Sequence, residues 1–197
     1  MKSSHRFLFL SILGKPGSGK GTQADFLETK FPFEHISTGA LLRQRAKKND
    51  FIAKRLREIM EMGGLVPTAS VFQLWMPRLE YLQKQKHFRG VVFDGSPRKL
   101  YEALMLDELL QLYKWDKNFK VIHLVISDKE ALRRLLKRGR SDDDKKDVLY
   151  RLKVFRKEVL PVISHYKKKK ELIEINGEQS RAGVHKEIMR KLKTFLK

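Results

Sequence analysis

The chain has 197 residues, of which 41% are hydrophobic and 34% are charged, and this balance predicts one folded domain of ordinary size, 1–197. The 43 lysines and arginines against 23 acidic residues give a formal net charge of +20, which should attract polyanions such as nucleotides or nucleic acids. The absence of cysteine excludes disulfides, cysteine-ligated zinc and a thiol nucleophile, and it favours a reducing, cytoplasmic location.

Short apolar runs alternate with longer helical patterns along the chain. This alternation predicts βαβ units and an α/β fold with a five-stranded parallel sheet flanked by helices. The predicted strands are 7–13, 35–37, 91–94, 121–126 and 172–175. The predicted helices are 20–30, 39–48, 52–62, 69–84, 100–113, 129–137, 148–166 and 182–195. Pro77 and Pro161 fall inside two of these helices and should kink or divide them.

Two classes of partner are not expected from the sequence. No apolar run approaches the ~20 residues of a membrane-spanning helix, so we expect no membrane partner. Basic runs such as 167–170 contain no interleaved aromatic residues and match no nucleic-acid motif. We therefore interpret the positive charge as a solvated surface and expect no specific nucleic acid partner.

A glycine-rich loop directly after the first strand is the clearest chemical motif, and it reads Gly14-Lys15-Pro16-Gly17-Ser18-Gly19-Lys20-Gly21-Thr22. Glycines at these places let backbone N–H groups and a helix N-terminus point at phosphate oxygens, while Lys20 reaches the outer phosphates. Gly21 stands where a serine or threonine is usual, so the hydroxyl comes one place later, on Thr22. The loop predicts a nucleoside triphosphate site.

Together with later motifs, this loop resembles the adenylate kinase family of nucleoside monophosphate kinases over essentially the whole chain. The further motifs are Ser37-Thr38-Gly39 with Arg43, Leu65-Val66-Pro67, Asp94-Gly95-Ser96-Pro97-Arg98, and Arg134, Arg138, Arg140, Asp142-Asp143 and Arg151. The resemblance implies a P-loop kinase with a helical monophosphate-binding lobe at 38–67 and a short lid at 138–144. It implies a monomer that transfers a phosphoryl group from ATP to AMP, reversibly and with Mg²⁺, giving two ADP.

Roles for individual residues follow from the resemblance. ATP-binding residues would be Gly17, Ser18, Gly19, Lys20, Gly21, Thr22, Arg134 and Arg138. AMP-binding residues would be Thr38, Gly39, Arg43, Val66, Gly95, Arg98, Glu102, Arg140 and Arg151. Catalytic residues would be Lys20, Arg98, Arg138, Arg140 and Arg151, and Asp94 would hold Mg²⁺ through water. Arginines suit this chemistry because the attacking phosphate oxygen is already ionised, so the reaction needs positioning and charge stabilisation rather than a general base.

Three positions depart from the family pattern. Ala40 replaces an aspartate near the expected metal waters, and Ser96 replaces an aromatic residue. Glu102 replaces a glutamine that reads the adenine edge. Ionised Glu102 can only accept hydrogen bonds, which by itself favours guanine. It also follows Arg98 by one helical turn, so it can instead turn toward that guanidinium and leave AMP as the preferred acceptor.

Some alternatives stay open at this stage. The acceptor could be another nucleoside monophosphate, such as GMP or UMP/CMP, and the P-loop with the +20 charge also fits a nucleic-acid-associated ATPase. The acceptor motifs fit only the kinase. The acidic run 142–144 has two possible uses: to anchor the lid hinge and to cap the following helix. We expect both uses.

Overall fold

Five strands form one parallel sheet in a computed structural model, which describes residues 7–85, 87, 89–139, 144–193 and 195. The strands are β1 (Leu8–Gly14), β2 (Phe33–Ser37), β3 (Gly90–Asp94), β4 (Phe119–Val125) and β5 (Leu172–Asn176). They lie in the order β2-β3-β1-β4-β5, so the first strand is central and pairs with β3 on one side and β4 on the other. The predicted fold class is confirmed.

The helices alternate with these strands as predicted. They are α1 (Lys20–Lys30), α2 (Thr38–Ala46), α3 (Phe51–Glu61), α4 (Thr68–Gln83), α5 (Leu100–Leu112), α6 (Asp128–Arg138), α7 (Lys145–Val154), α8 (Leu160–Lys168) and α9 (Arg181–Leu192). Polar side chains cap several N-termini: Asp50 accepts from the N–H of Ala53 before α3, and Asp144 accepts from that of Asp147 before α7. The capping use predicted for Asp144 is confirmed, whereas Asp142 and Asp143 lie outside the described residues.

The two faces of the sheet bury different halves of the core. Successive side chains of a strand point to opposite faces. Leu10 and Ile12 of β1 therefore face α1 and α9, and Phe9 and Leu13 face α4, α5 and α8. Every residue of β1 is buried, because helices cover both faces. This packing fixes the carboxyl ends of the strands at one edge, where ligands bind in open α/β sheets.

The two helix-interior prolines behave differently. The sequence predicts a kink or a division at Pro77, and the helix is not divided there, because α4 runs from Thr68 to Gln83 through it. The buried side chains of Val71, Trp75 and Leu79 anchor that helix on the core, and their burial offsets the lost backbone hydrogen bond. The predicted helix 148–166 is divided: a π-helical segment, Phe155–Val159, separates α7 from α8, and Pro161 lies in the first turn of α8. Among the described residues, none of the helices combines the length and apolarity that a membrane crossing needs.

Candidate active site

A glycine-rich turn joins β1 to α1 at the carboxyl edge of the sheet. Gly14 has no room for a side chain, because an added Cβ would lie 2.6 Å from Ser18 Oγ and 2.7 Å from the carbonyl oxygen of Leu124. Gly19 adopts the left-handed conformation, with φ of 91°, and contributes no side-chain cap to α1. The first N–H groups of α1 are therefore open toward the cleft, where the helix dipole favours an anion.

Lys20 folds back across this turn. Its Nζ donates to the carbonyl oxygens of Gly14 and Lys15, both at 3.0 Å. Burial lowers the pKa of this lysine to about 8, and Arg98 adds to the lowering, while the nearby Asp94 carboxylate opposes it. A buried ammonium group among other cations is best stabilised by an incoming anion.

Asp94 ends β3 beside the start of α1. Its Oδ2 accepts a hydrogen bond from Ser37 Oγ at 3.3 Å, and an added Cβ on Gly21 would lie 3.4 Å from the same oxygen. The carboxylate therefore faces the phosphate-binding turn, and Thr22 also lines the cleft there. One carboxylate and one hydroxyl are oxygen donors that suit Mg²⁺, which keeps most of its water ligands. The residues present fit a water-mediated magnesium site.

A second group of cations lies on the other side of the cleft. Arg43, on α2, rests against Gly39, where an added Cβ would lie 3.2 Å from Nη1. Arg98 precedes α5 and donates from Nε to the carbonyl oxygen of Gly95 at 2.5 Å. Burial lowers the pKa of Arg98, the carboxylates of Glu102 and Asp94 oppose this, and Arg151 and Arg43 add to the lowering. These guanidinium groups can form a fixed second phosphate site.

Thr38 anchors this second site through buried hydrogen bonds. Its Oγ1 accepts from Trp75 Nε1 at 3.1 Å and lies 2.9 Å from Ser96 Oγ. Trp75 is fully buried, and Thr38 and Ser96 are nearly so. Ser11, inside the central strand, donates to the backbone carbonyl of Ser96. The network holds the start of α2 and the loop after β3 in fixed relation to the sheet.

Glu102 lies within α5 at 3% exposure and lines the cleft. Its Oε1 has no hydrogen-bond partner, and in the described part of the chain no ion pair joins it to Arg98. The two groups attract each other at longer range without a direct ion pair, and whether Glu102 turns toward the guanidinium or the base stays a prediction. Burial raises the pKa of the Glu102 carboxyl, and the Arg98 backbone N–H, its guanidinium, Lys99 and the Ser96 side chain oppose the rise.

Helices α6 and α7 bring further arginines to the cleft. Arg134 donates from Nε to Glu130 at 2.6 Å and from Nη2 to the carbonyl oxygen of Gly177 at 2.9 Å. Arg138 ends α6, and both Arg138 and Arg151 lie close enough to Lys20 to lower its pKa. Positive charge is thus continuous from the glycine-rich turn to the second phosphate site.

The predicted site residues share one cleft of about 1050 Å³. Those that line it are Gly17, Ser18, Gly19, Lys20, Gly21, Thr22, Thr38, Gly39, Arg43, Val66, Asp94, Gly95, Arg98, Glu102, Arg134, Arg138 and Arg151. Arg140 lies outside the described residues.

Sequence reasoning missed one part of the cleft wall and one contact that holds the lobe in place. The loop after β5 closes one end, since Gly177, Gln179 and Ser180 line the cleft there. The rule that ligands bind beyond the carboxyl ends of parallel strands could have found it. Lys99 was also missed: its Nζ donates to the carbonyl oxygen of Val66 at 2.9 Å and fixes the end of the lobe against the start of α5. A lone lysine carries no motif, so no signal in the sequence identifies that contact.

A P-loop and an arginine-lined second phosphate site, built on one parallel sheet, define a P-loop kinase that acts on a phosphorylated acceptor. The family model described as adenylate kinase matches residues 12–171. The chain is 37% identical to "Adenylate kinase 1" of Nostoc sp., over 91% of this chain and 95% of that protein. It is 38% identical to an adenylate kinase of Synechococcus sp. (86% and 88%) and 31% identical to one of Chlamydia trachomatis (96% and 91%). The chain belongs to the adenylate kinase family and is a phosphotransferase.

Proposed function

We propose that this enzyme transfers the terminal phosphoryl group of ATP to AMP, reversibly and with Mg²⁺, giving two ADP. The observation that carries the proposal is the electrostatic coupling across the cleft. The charges of Arg98 and Arg151 lower the pKa of Lys20 on the P-loop. The charges of Arg151 and Arg43 likewise lower the pKa of Arg98. Two phosphate sites linked in this way suit a reaction that gathers the charges of two nucleotides at one point.

The donor half would be the P-loop and the ends of α6 and α7. Backbone N–H groups of 17–22 and the N-terminus of α1 would hold the ATP phosphates, with Arg134 and Arg138 beside them. Lys20 would leave its carbonyl partners for the outer phosphates, and its position would favour the charge that develops on the transferring group. Arg140, assigned to the same group by resemblance, stays a prediction.

The acceptor half would be the lobe 38–67 with the loop after β3. Arg43 and Arg98 would hold the AMP phosphate, and Arg151 would bridge to the transferring group. Because the attacking oxygen is already ionised, the groups around it need only position it and stabilise charge. Thr38, Gly39, Val66 and Gly95 would shape the space for the nucleoside.

The contacts between the lobe 38–67 and helix α7 suit an active site that excludes water. An added Cβ on Gly63 would lie 3.1 Å from Tyr150 Cδ1 and 3.4 Å from Arg151 Cγ, so the end of the lobe rests on α7. We propose that the lobe 38–67 closes over the nucleotides, since an open site would let water compete for the phosphoryl group. The predicted lid 138–144 includes residues 140–143, which lie outside the described part of the chain, so its closure stays a prediction.

Magnesium would be held by Asp94 through water, with Thr22 nearby, and when bound it neutralises phosphate charge. We expect Asp94→Asn to raise the Mg²⁺ concentration for half-maximal activity by about tenfold, because it removes the anionic partner of the metal's waters. Titration of activity with Mg²⁺ at fixed ATP measures this. Asp116→Asn, a carboxylate far from the cleft, serves as control. Equal Mg²⁺ dependence in both variants would contradict the role of Asp94.

The pH dependence of kcat/KM for ATP should reflect the ionisation of Lys20. Since its pKa is lowered to about 8, the ammonium group is charged below that pH and neutral above it. We expect kcat/KM for ATP to fall as pH rises through about 8, because this parameter reports the free enzyme. A rate profile from pH 6 to about 10 with AMP saturating would check this, and a level profile through pH 8 to 9.5 would refute it.

The proposed function is tested by a coupled assay of ATP with each of AMP, GMP, UMP and CMP. We expect fast transfer to AMP and little hydrolysis when the acceptor is omitted. Preference for UMP or CMP would make the enzyme a different monophosphate kinase. Hydrolysis of ATP stimulated by RNA, without any monophosphate and at high salt, would instead favour the nucleic-acid-associated ATPase.

We further propose a cytoplasmic monomer whose partners are ATP and AMP. The P-loop and the arginines of the second phosphate site lie together in the described part of one chain, which supports a monomer. Light scattering at assay concentrations would reveal the oligomeric state.

A further inference from the structure

The acceptor side of the cleft offers two apolar walls and one polar edge. Leu42, Val66 and Val71 border it, while Arg43 and Arg98 mark the end that takes a phosphate. A nucleotide held there by its phosphate must place a flat heterocycle in the remaining apolar space. The hydrogen-bonding edge of the base then needs a polar partner, because buried polar groups without one are disfavoured.

Glu102 supplies a partner of this kind. It is 3% exposed, it lines the cleft, and its Oε1 is buried without a hydrogen-bond partner. The carboxyl group lies beside Ser96, whose hydroxyl is in turn 2.9 Å from Thr38 Oγ1. The hydrogen bonds from Trp75 and Ser96 to Thr38 hold the loop beside Glu102 in place, and Oε1 of Glu102 has no hydrogen-bond partner within the described protein.

The protonation state of this carboxyl decides which base edge it matches. A neutral carboxyl has one O–H donor and one carbonyl acceptor, which complement N1 and the N6 amino group of adenine. An ionised carboxylate has only acceptors, which complement N1–H and the N2 amino group of guanine. The same side chain can thus present two different patterns without moving.

We propose that Glu102 reads the base of the acceptor nucleotide and selects adenine when protonated and guanine when ionised. This inference rests on the proposed function, since it assigns the base specificity of that site. It makes the choice of acceptor a function of pH, with AMP favoured at low pH and GMP gaining as pH rises.

The groups around Glu102 set the pH at which its base preference changes. Arg98 and Lys99, just before α5, favour the ionised form, and so do the Arg98 backbone N–H and the Ser96 side chain. Tyr166, from α8, also interacts with Glu102, and burial together with carboxylates that include Glu102 raises its pKa, so it stays neutral. Burial of Glu102 outweighs the cations and raises the carboxyl pKa. The neutral form therefore persists to higher pH than in an exposed glutamate.

The test compares acceptors across pH in the whole enzyme. The ratio of kcat/KM for AMP to that for GMP is measured from pH 5.5 to about 9. Titration of Lys20 affects both acceptors alike and cancels in the ratio. We expect the ratio to fall on the order of tenfold to a hundredfold in the natural sequence, the scale of one mispaired buried group. Glu102→Gln, with a fixed donor and acceptor, should hold a high and level ratio.

A matched control and a second readout separate specificity from general structure. Glu171→Gln changes a carboxyl outside the cleft whose pKa burial also raises, and it should leave the pH dependence of the ratio intact. Calorimetry of AMP binding in buffers of different ionisation enthalpy should show proton uptake at alkaline pH in the natural sequence. Glu102→Gln should show less uptake, because only the contribution of Lys20, whose pKa is about 8, remains.

The outcomes distinguish this inference from the proposed function. AMP turnover with a ratio that is level with pH, or equal proton uptake in the natural sequence and Glu102→Gln, would overturn the role of Glu102 and leave the proposed function standing. Failure to phosphorylate AMP would overturn the proposed function itself. The pH dependence of the ratio needs only the natural sequence, and Lys20 cancels from it, so it decides the matter even if Glu102→Gln folds poorly.

Discussion

Replacement of Lys20 by alanine is expected to lower kcat by roughly 10³-fold or more, the scale found when a charge-stabilising cation is removed from phosphoryl transfer. Lys20 is the cation nearest the P-loop carbonyls, and Asp94, Arg98, Arg138 and Arg151 all act on it electrostatically. Without it, the developing charge on the transferring group loses its compact donor-side partner. The measurement is kcat in the coupled assay with both nucleotides saturating, beside a thermal melt to show that the fold is kept.

Lys186 provides the matched control, since it lies exposed on α9 away from the cleft. Lys186→Ala removes the same formal charge and should leave kcat within about twofold, as distant surface substitutions usually do. Similar losses in the two variants would mean that total charge, not position, governs the reaction. A normal kcat in Lys20→Ala would remove Lys20 from the transfer step.

The sheet could be predicted from the sequence because its signal is local. Strand β1 is a mainly apolar run, and β4 is apolar except at Lys120 and His123, as expected for strands covered on both faces. The strand order could not be obtained that way, since it depends on how helices cover the two faces rather than on any one segment. The π-helical segment was missed for a similar reason: 155–159 has ordinary helical composition, and its register change shows only in the backbone.

In the candidate active site, too, local motifs could be recognised in the sequence, whereas contacts between distant segments could not. Roles for motif residues such as Thr38 and Arg98 could be assigned because the motifs that contain them resemble those of the adenylate kinase family. The position of Glu102 could not, because its sequence neighbours permit an ion pair with Arg98 and only three-dimensional packing places the unpaired Oε1 in the cleft. Lys99 is similar, since its partners are backbone carbonyls more than thirty residues away in the chain.

Replacement of Arg98 by alanine is expected to lower kcat/KM for AMP by roughly 10³-fold while KM for ATP changes less than about threefold. Asp94 and Glu102 stabilise the charge of Arg98 electrostatically, and its loss removes a guanidinium group that would hold the AMP phosphate. ATP contacts the P-loop half, so its ground-state binding should be nearly unaffected. Steady-state kinetics with each nucleotide varied in turn measure the split.

Two further variants decide whether the guanidinium shape or only its charge matters at this position. Arg98→Lys keeps the charge but loses the fork that holds two phosphate oxygens and the Nε–H that donates to Gly95, so its activity should fall between those of the natural sequence and Arg98→Ala. Arg190→Ala, an exposed arginine on α9, should match the natural sequence in every constant. If Arg98→Ala raised KM for ATP as much as KM for AMP, the residue would belong to both halves of the cleft, and the division of the site proposed above would be wrong.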